Sequence, residues 1–269
     1  MSGALAADLL GVGVCAPGMA DADALRAWLT HADAPLPGGR DAQPAAARMA
    51  AAERRRAPHS VRMAVETATQ ALGAHDAAAV GAVFASAYGD MANADAILTA
   101  LARAPQEVSP TRFTHSVHNA AAGHWSMASA SHAATTALAG GSEGFGGALL
   151  AALLELQPQR PPQLLVVYDV ADAGALAEAA PCTADFAAAL LLAPPGTGAA
   201  LARLRAEVRA RRGTAATPPV DARLLPWWQG NPAARALPLL EAVLCRRRHG
   251  FTWPLGSGTL LALDCEPFR

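Results

Sequence analysis

The stretch Thr135-Thr-Ala-Leu-Ala-Gly-Gly-Ser-Glu-Gly-Phe145 decides the fold, because three kinds of local structure follow one another within it. Its opening β-branched and apolar residues predict a short strand from Thr135 to Ala139. The two glycines that follow predict a tight turn. From Ser142 to Leu156, apolar residues recur at helical spacing, which predicts a helix with a buried face. A strand, a glycine turn and a buried helix in this order are typical of an α/β protein.

Apolar segments elsewhere in the chain also favour an α/β fold. Near-continuous apolar runs predict strands that are buried on both faces, and these runs lie at 79–86, 164–169 and 187–193. Further strands are predicted at 9–14 and 258–264, and a half-exposed strand, for which a helix is the alternative, at 200–208. Helices are predicted at 21–30, 45–56, 60–72 with Ser60 as N-cap, 90–103, 116–129, 173–180 and 233–248. Loops are predicted at 36–44, 105–113 and 213–232.

Composition limits the classes of function. The chain has 269 residues, of which 52% are hydrophobic, so it can bury a substantial core. A net charge of −1 provides no overall basic field for nucleic acid or anionic lipid. The four cysteines lack the spacing of a zinc site, which predicts reduced thiols and no metal.

The apolar N-terminal segment does not have the pattern of a signal peptide. Asp8 interrupts the segment, and the first arginine is Arg26. The longest apolar run, Phe145 to Leu154, is too short to span a bilayer. We therefore expect a cytoplasmic protein without a membrane span.

Several local motifs together resemble the β-ketoacyl synthase family. The stretch Thr111-Arg-Phe-Thr-His-Ser-Val-His-Asn-Ala-Ala-Ala-Gly-His-Trp-Ser126 and the glycine turn resemble the approach to its active site. Residues 11–18 resemble its first strand and turn, and residues 108–113 resemble its Ser-Pro segment. The resemblance covers roughly residues 5 to 195, and it is closest to the short chain-length-factor subunits of aryl-polyene biosynthesis.

This resemblance implies a thiolase-like α/β fold, in its N-terminal half only. The expected architecture is a mixed five-stranded sheet layered with helices, plus a C-terminal helix and strand. We expect residues 1–195 to form a ketosynthase N-terminal-like domain. Residues 196–269 would be a C-terminal extension packed on the same domain.

The turn lacks the nucleophile that the resemblance leads one to expect. Condensing enzymes carry a cysteine there, because a helix N-terminus stabilises the thiolate. Gly140 falls at that position, and no residue from Ala137 to Glu143 is a cysteine. The histidines at 115, 118, 124 and 132 precede the turn and do not match the family's catalytic ones. We therefore expect no catalytic residue and no directly bound cofactor.

The resemblance further implies a subunit that acts with a partner. That partner would be a full-length catalytic ketosynthase, and the substrates would be carried on the phosphopantetheine of acyl carrier protein. Three arginine-rich runs, at 54–56, 203–212 and 246–249, are either solvated surfaces or a docking site for that acidic carrier. The complex would perform decarboxylative condensation in aryl-polyene, polyketide or fatty-acid-type biosynthesis.

An interface and a gate for chain length are also implied. The strand with Thr135, Thr136 and Leu138 would pair with the partner's strand, because a bare apolar edge is a liability. Phe113, His118 and Trp125 are the candidate gate residues, and the alternative is that Phe113 and Trp125 are ordinary core aromatics.

Two other functions are consistent with the sequence. Gly140-Gly-Ser-Glu-Gly144 fits the nucleophile elbow G-x-S-x-G of serine hydrolases. A triad in the hydrolase order would be Ser142, then Asp169 or Asp185, then His249. An HGGG-type oxyanion segment, which many such hydrolases have, is absent from the sequence. The second alternative is a small-molecule binding module that acts alone.

Overall fold

One mixed β-sheet runs through the chain in the computed structural model. The structure describes residues 5–156, 161–171, 174–197, 199–211, 213–256 and 258–268. The strands are β1 (Leu5–Cys15), β2 (Gly81–Ala85), β3 (Thr135–Leu138), β4 (Gln163–Asp169), β5 (Phe186–Ala193), β6 (Ala202–Ala210), β7 (His249–Pro254) and β8 (Thr259–Pro267). Their order in the sheet is β3-β2-β4-β5-β1-β6-β8-β7. Strand β2 is parallel to β3 and β4, and the other pairs are antiparallel.

The sheet confirms the α/β prediction and is larger than expected. The described residues form eight strands in one sheet rather than five. The added strands begin with β6, which pairs with β1 from Leu5↔Ala206 to Leu9↔Ala202. Strand β7 was not predicted and pairs with β8. The half-exposed segment predicted at 200–208 is thus a strand and not a helix, and β8 and β7 continue the sheet beyond it.

The helices surround this sheet. They are α1 (Ala22–Leu29), α2 (Ala51–Arg56), α3 (His59–Leu72), α4 (Met91–Arg103), α5 (Pro110–Thr114), α6 (Ala120–Ser129), α7 (Gly144–Glu155), α8 (Leu225–Gly230) and α9 (Leu237–Leu244). None of the helices in the described ranges is both long and apolar enough to cross a membrane.

Several predicted helices and loops differ from the structure. The helices predicted at 45–56 and 116–129 begin only at Ala51 and Ala120. Residues 174–180 form turns rather than a helix, and residues 172–173 lie outside the described chain. Helices α5 and α8 lie in segments that were predicted to be loops because they contain proline. Each proline lies in the first turn of its helix, where its missing N–H breaks no helical hydrogen bond, so a helix can form. Ser60 does not cap α3, which begins at His59.

The core lies on both faces of the sheet. Alternate residues of β4 and β5 point to opposite faces and are all buried. Helices α3 and α6 cover one face, and α1, α7 and α9 cover the other. Helix α3 lies directly on β1. This close packing requires glycine at Gly11 and Gly13, because a side chain at either position would collide with the α3 backbone.

Helix α7 packs against five strands of the sheet, and its N-terminus marks the site described next. The strands that it contacts are β1, β2, β4, β7 and β8. The parallel strands β2, β3 and β4 therefore end beside the turn that enters α7. The carboxyl ends of parallel strands are the usual place for a site in an α/β fold.

Candidate functional site

The glycine turn joins β3 to α7, at the position where the resemblance to β-ketoacyl synthases implies a nucleophile. Gly141 to Glu143 form a single 3₁₀ turn, and Gly141 has a φ of 57°, which favours glycine. A Cβ atom added to Gly140 would lie 2.5 Å from the Cα of Gly144. This distance is too short for two carbon atoms, so no side chain fits at Gly140 unless the backbone moves. The position of Gly140 therefore requires glycine and has no space for a cysteine side chain.

Asp169 lies beneath this turn. Its carboxylate accepts hydrogen bonds from the Ser86 hydroxyl at 2.7 Å and from the Ala87 N–H at 2.9 Å. Burial raises the pKa of Asp169 to about 7, although these hydrogen bonds act in the opposite direction. The cavity between Asp169 and Gly140 measures about 10 Å³. Such a cavity holds about one water molecule and no acyl group.

The four cysteines lie away from the turn. Burial raises the pKa of the Cys15 and Cys265 thiols to about 12. Burial also raises the pKa of Cys245, and Cys182 is buried. Cys15, Cys245 and Cys265 therefore stay protonated near neutral pH, whereas a nucleophilic cysteine needs a lowered pKa.

The structure does not assemble the hydrolase triad. Ser142 is exposed and has no histidine or carboxylate hydrogen-bond partner among the described residues. Asp169 binds Ser86, and Asp185 binds His59. His249 packs instead against the Phe251 ring, with the ring centroids 4.9 Å apart. The geometry thus argues against Ser142 as an activated nucleophile.

A pair formed by half-buried His59 and buried Asp185 was not found by sequence reasoning. The Nε2 atom of His59 lies 2.7 Å from the Asp185 carboxylate, which also accepts hydrogen bonds from the Ala42 and Ala171 N–H groups. Asp185 thereby joins α3 to two loops. His59 and Asp185 are 126 positions apart in the chain, and neither belongs to a recognisable motif. The pair borders a cavity of about 410 Å³.

The three candidate gate residues occupy different environments. Phe113, in α5, is 65% exposed. His118 is half-buried, and its Nε2 atom lies 2.8 Å from the Leu138 carbonyl oxygen. Trp125 is buried between the Phe84 ring and the Arg48 guanidinium. Trp125 is thus buried in this chain, whereas Phe113 is largely exposed, and the gate role of all three residues stays a prediction.

Strand β3 lies at an edge of the sheet. Thr135 and Leu138 are half-buried, and Thr136 is exposed. The Ala134 and Leu138 carbonyls accept hydrogen bonds from β2. Since backbone groups alternate along a strand, Thr135 and Ala137 point their N–H and C=O groups away from β2, toward the open edge.

Five large apolar side chains are exposed in the segment that precedes β3. Helix α4 contacts α5, and α6 contacts β3. We call these side chains the edge surface; they are Leu98 and Leu101 on α4, Phe113 on α5, Val117 between α5 and α6, and Met127 on α6. Exposed apolar side chains of this size are candidates for contact with another chain.

The arginine-rich runs lie mainly on the surface. Residues 54–56 end α2, where cations favour the helix dipole. Within the second run, Arg203 pairs with the buried Asp8, and Arg209 pairs with Glu207. Arg212 lies outside the described residues. Both open interpretations of these runs are consistent with their positions.

Comparison with known proteins identifies the family. Residues 27–229 match the family model described as the β-ketoacyl synthase N-terminal domain. No curated protein matches the chain. Among solved structures, the chain is similar to a ketosynthase (ApeO) in complex with its chain length factor (ApeC) from Xenorhabdus doucetiae. The TM-score is 0.73 and the identity 23%, over 97% of this chain and 99% of that one.

Two further structures support the same fold. The ishigamide ketosynthase/chain length factor has a TM-score of 0.72 at 13% identity, over 98% of this chain and 99% of that one. A type II polyketide synthase complex of acyl-carrier protein with its ketosynthase, AntDE:AntF, has a TM-score of 0.71 at 13% identity, over the same shares of both chains. These similarities confirm the thiolase-like ketosynthase fold. With three quarters of its length matched by the family model, this chain belongs to the β-ketoacyl synthase family, in which it carries the N-terminal domain.

Proposed function

We propose that this chain is a non-catalytic, chain-length-factor-like subunit of a β-ketoacyl-ACP synthase complex. The observation that carries the proposal is the closed turn at Gly140, where a side chain would lie 2.5 Å from the Gly144 backbone. A family member without space for the nucleophile cannot form the thioester itself. The partner, a full-length ketosynthase, would supply the cysteine and the catalytic histidines.

The open edge of β3 supports a protein partner. An unpaired strand edge beside exposed apolar side chains is a place where another chain can continue the sheet. Thr135 and Ala137 offer the free backbone groups for that pairing, and the edge surface offers apolar area. Phe113 and His118 would lie at this interface, where large side chains shorten the partner's acyl cavity and small ones lengthen it.

The proposed reaction of the complex is decarboxylative condensation in aryl-polyene, polyketide or fatty-acid-type biosynthesis. Substrates would arrive on the phosphopantetheine of acyl carrier protein, and this subunit would need no cofactor of its own. One of the arginine-rich runs would dock the acidic carrier. Such carrier-dependent synthesis would place the protein in the cytoplasm.

Co-expression with a full-length ketosynthase from the same organism tests the proposal. We expect the two chains to co-purify, and we expect condensation to require the cysteine of the partner alone. Ala137→Pro removes an N–H from the open edge without touching the hydrogen bonds to β2, so it should abolish co-purification. Ala137→Ser keeps that N–H and serves as the matched control. Condensation by this chain alone, or unchanged assembly of the Ala137→Pro variant, would contradict the proposal.

A further inference from the structure

A second cavity, next to the glycine turn, contains more positive than negative charge. It measures about 200 Å³ and lies beside the first turn of α7. We call it the Arg235 cavity; its polar lining is Ser142, Glu143, Arg211, Trp228 and Arg235. The proposed condensing partnership gives this cavity no role.

Arg235 is a half-buried cation that forms no ion pair within the described residues, although the charge of Glu143 acts on it from a distance and opposes the lowering of its pKa. Its guanidinium lies 3.9 Å from the centroid of the Trp228 ring. Burial lowers the pKa of Arg235, and no carboxylate in the described part of the chain lies within ion-pair distance of it. Moving a charge out of water is costly unless an opposite charge accompanies it. Stacking on an indole recovers part of that cost, and an anion would recover more.

Glu143 does not neutralise the cavity. Its carboxylate lies 3.6 Å from Arg211, which also donates hydrogen bonds to the Thr214 and Gly256 carbonyls. Glu143 is about half exposed, so water screens part of its negative charge, and burial still lowers the pKa of Arg235 overall. One carboxylate therefore faces two guanidiniums, and the position beside Arg235 favours an oxyanion. Ser142, whose hydroxyl has no hydrogen-bond partner among the described residues, lies at the same cavity.

An apolar groove adjoins the Arg235 cavity. It measures about 720 Å³ and shares Glu143 and Pro254 with that cavity. Its apolar lining includes Leu138, Leu150, Val208 and Leu255. A ligand that fits both spaces has an anionic head and an apolar tail.

We propose that this chain binds an amphiphilic carboxylic acid, with its carboxylate at Arg235 and its alkyl tail in the adjoining groove. The guanidinium matches the geometry of a carboxylate. The groove removes the tail from water. The site lies entirely within this chain and does not require the proposed partner.

Calorimetric titration of the full chain, without any partner, tests this proposal. Octanoate is the probe, octanol presents the same tail without the charge, and acetate presents the charge without the tail. We expect octanoate to bind more tightly than either. Arg235→Gln should weaken octanoate binding by about tenfold or more, because it removes a charge-assisted hydrogen bond. Arg103→Gln, at an exposed arginine that ends α4, is the matched control and should leave binding unchanged.

Equal affinity for octanoate and octanol, or octanoate binding unaffected by Arg235→Gln, would overturn the proposal. Should Arg235→Gln fail to fold, NMR of the wild-type chain decides. Octanoate should then shift the indole N–H resonance of Trp228, assigned with Trp228→Phe, and octanol should not. An unshifted Trp228 resonance would equally overturn it. Because the partner is absent from these experiments, their outcome is independent of whether the heterodimer forms.

Discussion

The two edge strands of the sheet, β7 and β3, differ in how deeply their side chains are buried. At one edge, β7 carries buried Phe251 and Trp253 and packs on α7. At the other, β3 is four residues long and half-exposed, and nearby Phe113 lies largely in water. The chain therefore buries Phe251 and Trp253 of β7 in its own core, whereas the side chains of β3 remain half-exposed. A fold that closes one edge by itself and not the other is consistent with a subunit of a complex.

The β7 edge is closed by an aromatic cluster. The Trp253 ring lies 5.1 Å from Phe145 of α7 and 5.6 Å from Phe251, measured between centroids. The indole N–H of Trp253 donates to the Arg235 carbonyl at 3.0 Å. Trp253 is 1% exposed, so its whole ring contributes to the core. This cluster joins β7 to helix α7.

Removing that ring should have the largest effect on stability. We expect Trp253→Ala to lower the free energy of unfolding by about 3–5 kcal/mol, because it leaves a cavity and an unpaired carbonyl. Urea denaturation monitored by circular dichroism measures this value. A loss below about 1 kcal/mol would mean that the β7 edge is as loosely packed as the β3 edge, and the contrast between the two edges would fail.

The sequence predicted the strands near the centre of the sheet better than those at the β7 edge. Strands β2, β4 and β5 lie in continuous apolar runs, and such runs specify burial on both faces locally. Strand β7 is only six residues long, contains Gly250 and ends at Pro254. Its extended conformation depends on pairing with β8 and on packing against α7, which the local sequence does not record.

The candidate site was predicted in part. The glycine turn and its missing cysteine are visible in the sequence, since glycine pairs mark turns. The closeness of Gly140 to Gly144 depends on how the chain enters α7, so no pattern reveals it. The Arg235 cavity likewise joins residues of the 3₁₀ turn before α7 to residues near α8 and β6, and these are far apart in the chain. Tertiary packing alone brings these charges together.

The turn between the two edges offers an intermediate test. Gly140→Ala should lower the free energy of unfolding by about 1–3 kcal/mol, because the new Cβ forces the backbone at Gly144 to move. Gly147→Ala is the matched control, since its Cβ would meet nothing within 4 Å and alanine favours the helix. We expect the control to be neutral or stabilising by up to about 1 kcal/mol. Thermal unfolding of both variants in the same buffer compares the two changes in the free energy of unfolding. If the two changes were equal, the argument that a side chain does not fit at Gly140 would fail.

The smallest effect on the isolated chain is expected at the β3 edge. Phe113 is 65% exposed, so Phe113→Ala should change the free energy of unfolding by less than about 0.5 kcal/mol in urea denaturation. The same substitution should weaken assembly with the ketosynthase, because exposed aromatics that become buried carry much of an interface's binding energy. It should also shift the product toward longer chains if the ring limits the acyl cavity.

Leu201→Ala is the control for this prediction and should leave assembly unchanged. Leu201 is another exposed apolar side chain, and it lies next to β6, away from β3. A Phe113→Ala variant that unfolds more easily but assembles normally would place Phe113 in the protomer's own core. In that case the two edges would differ in length alone, and the open edge would no longer argue for a partner.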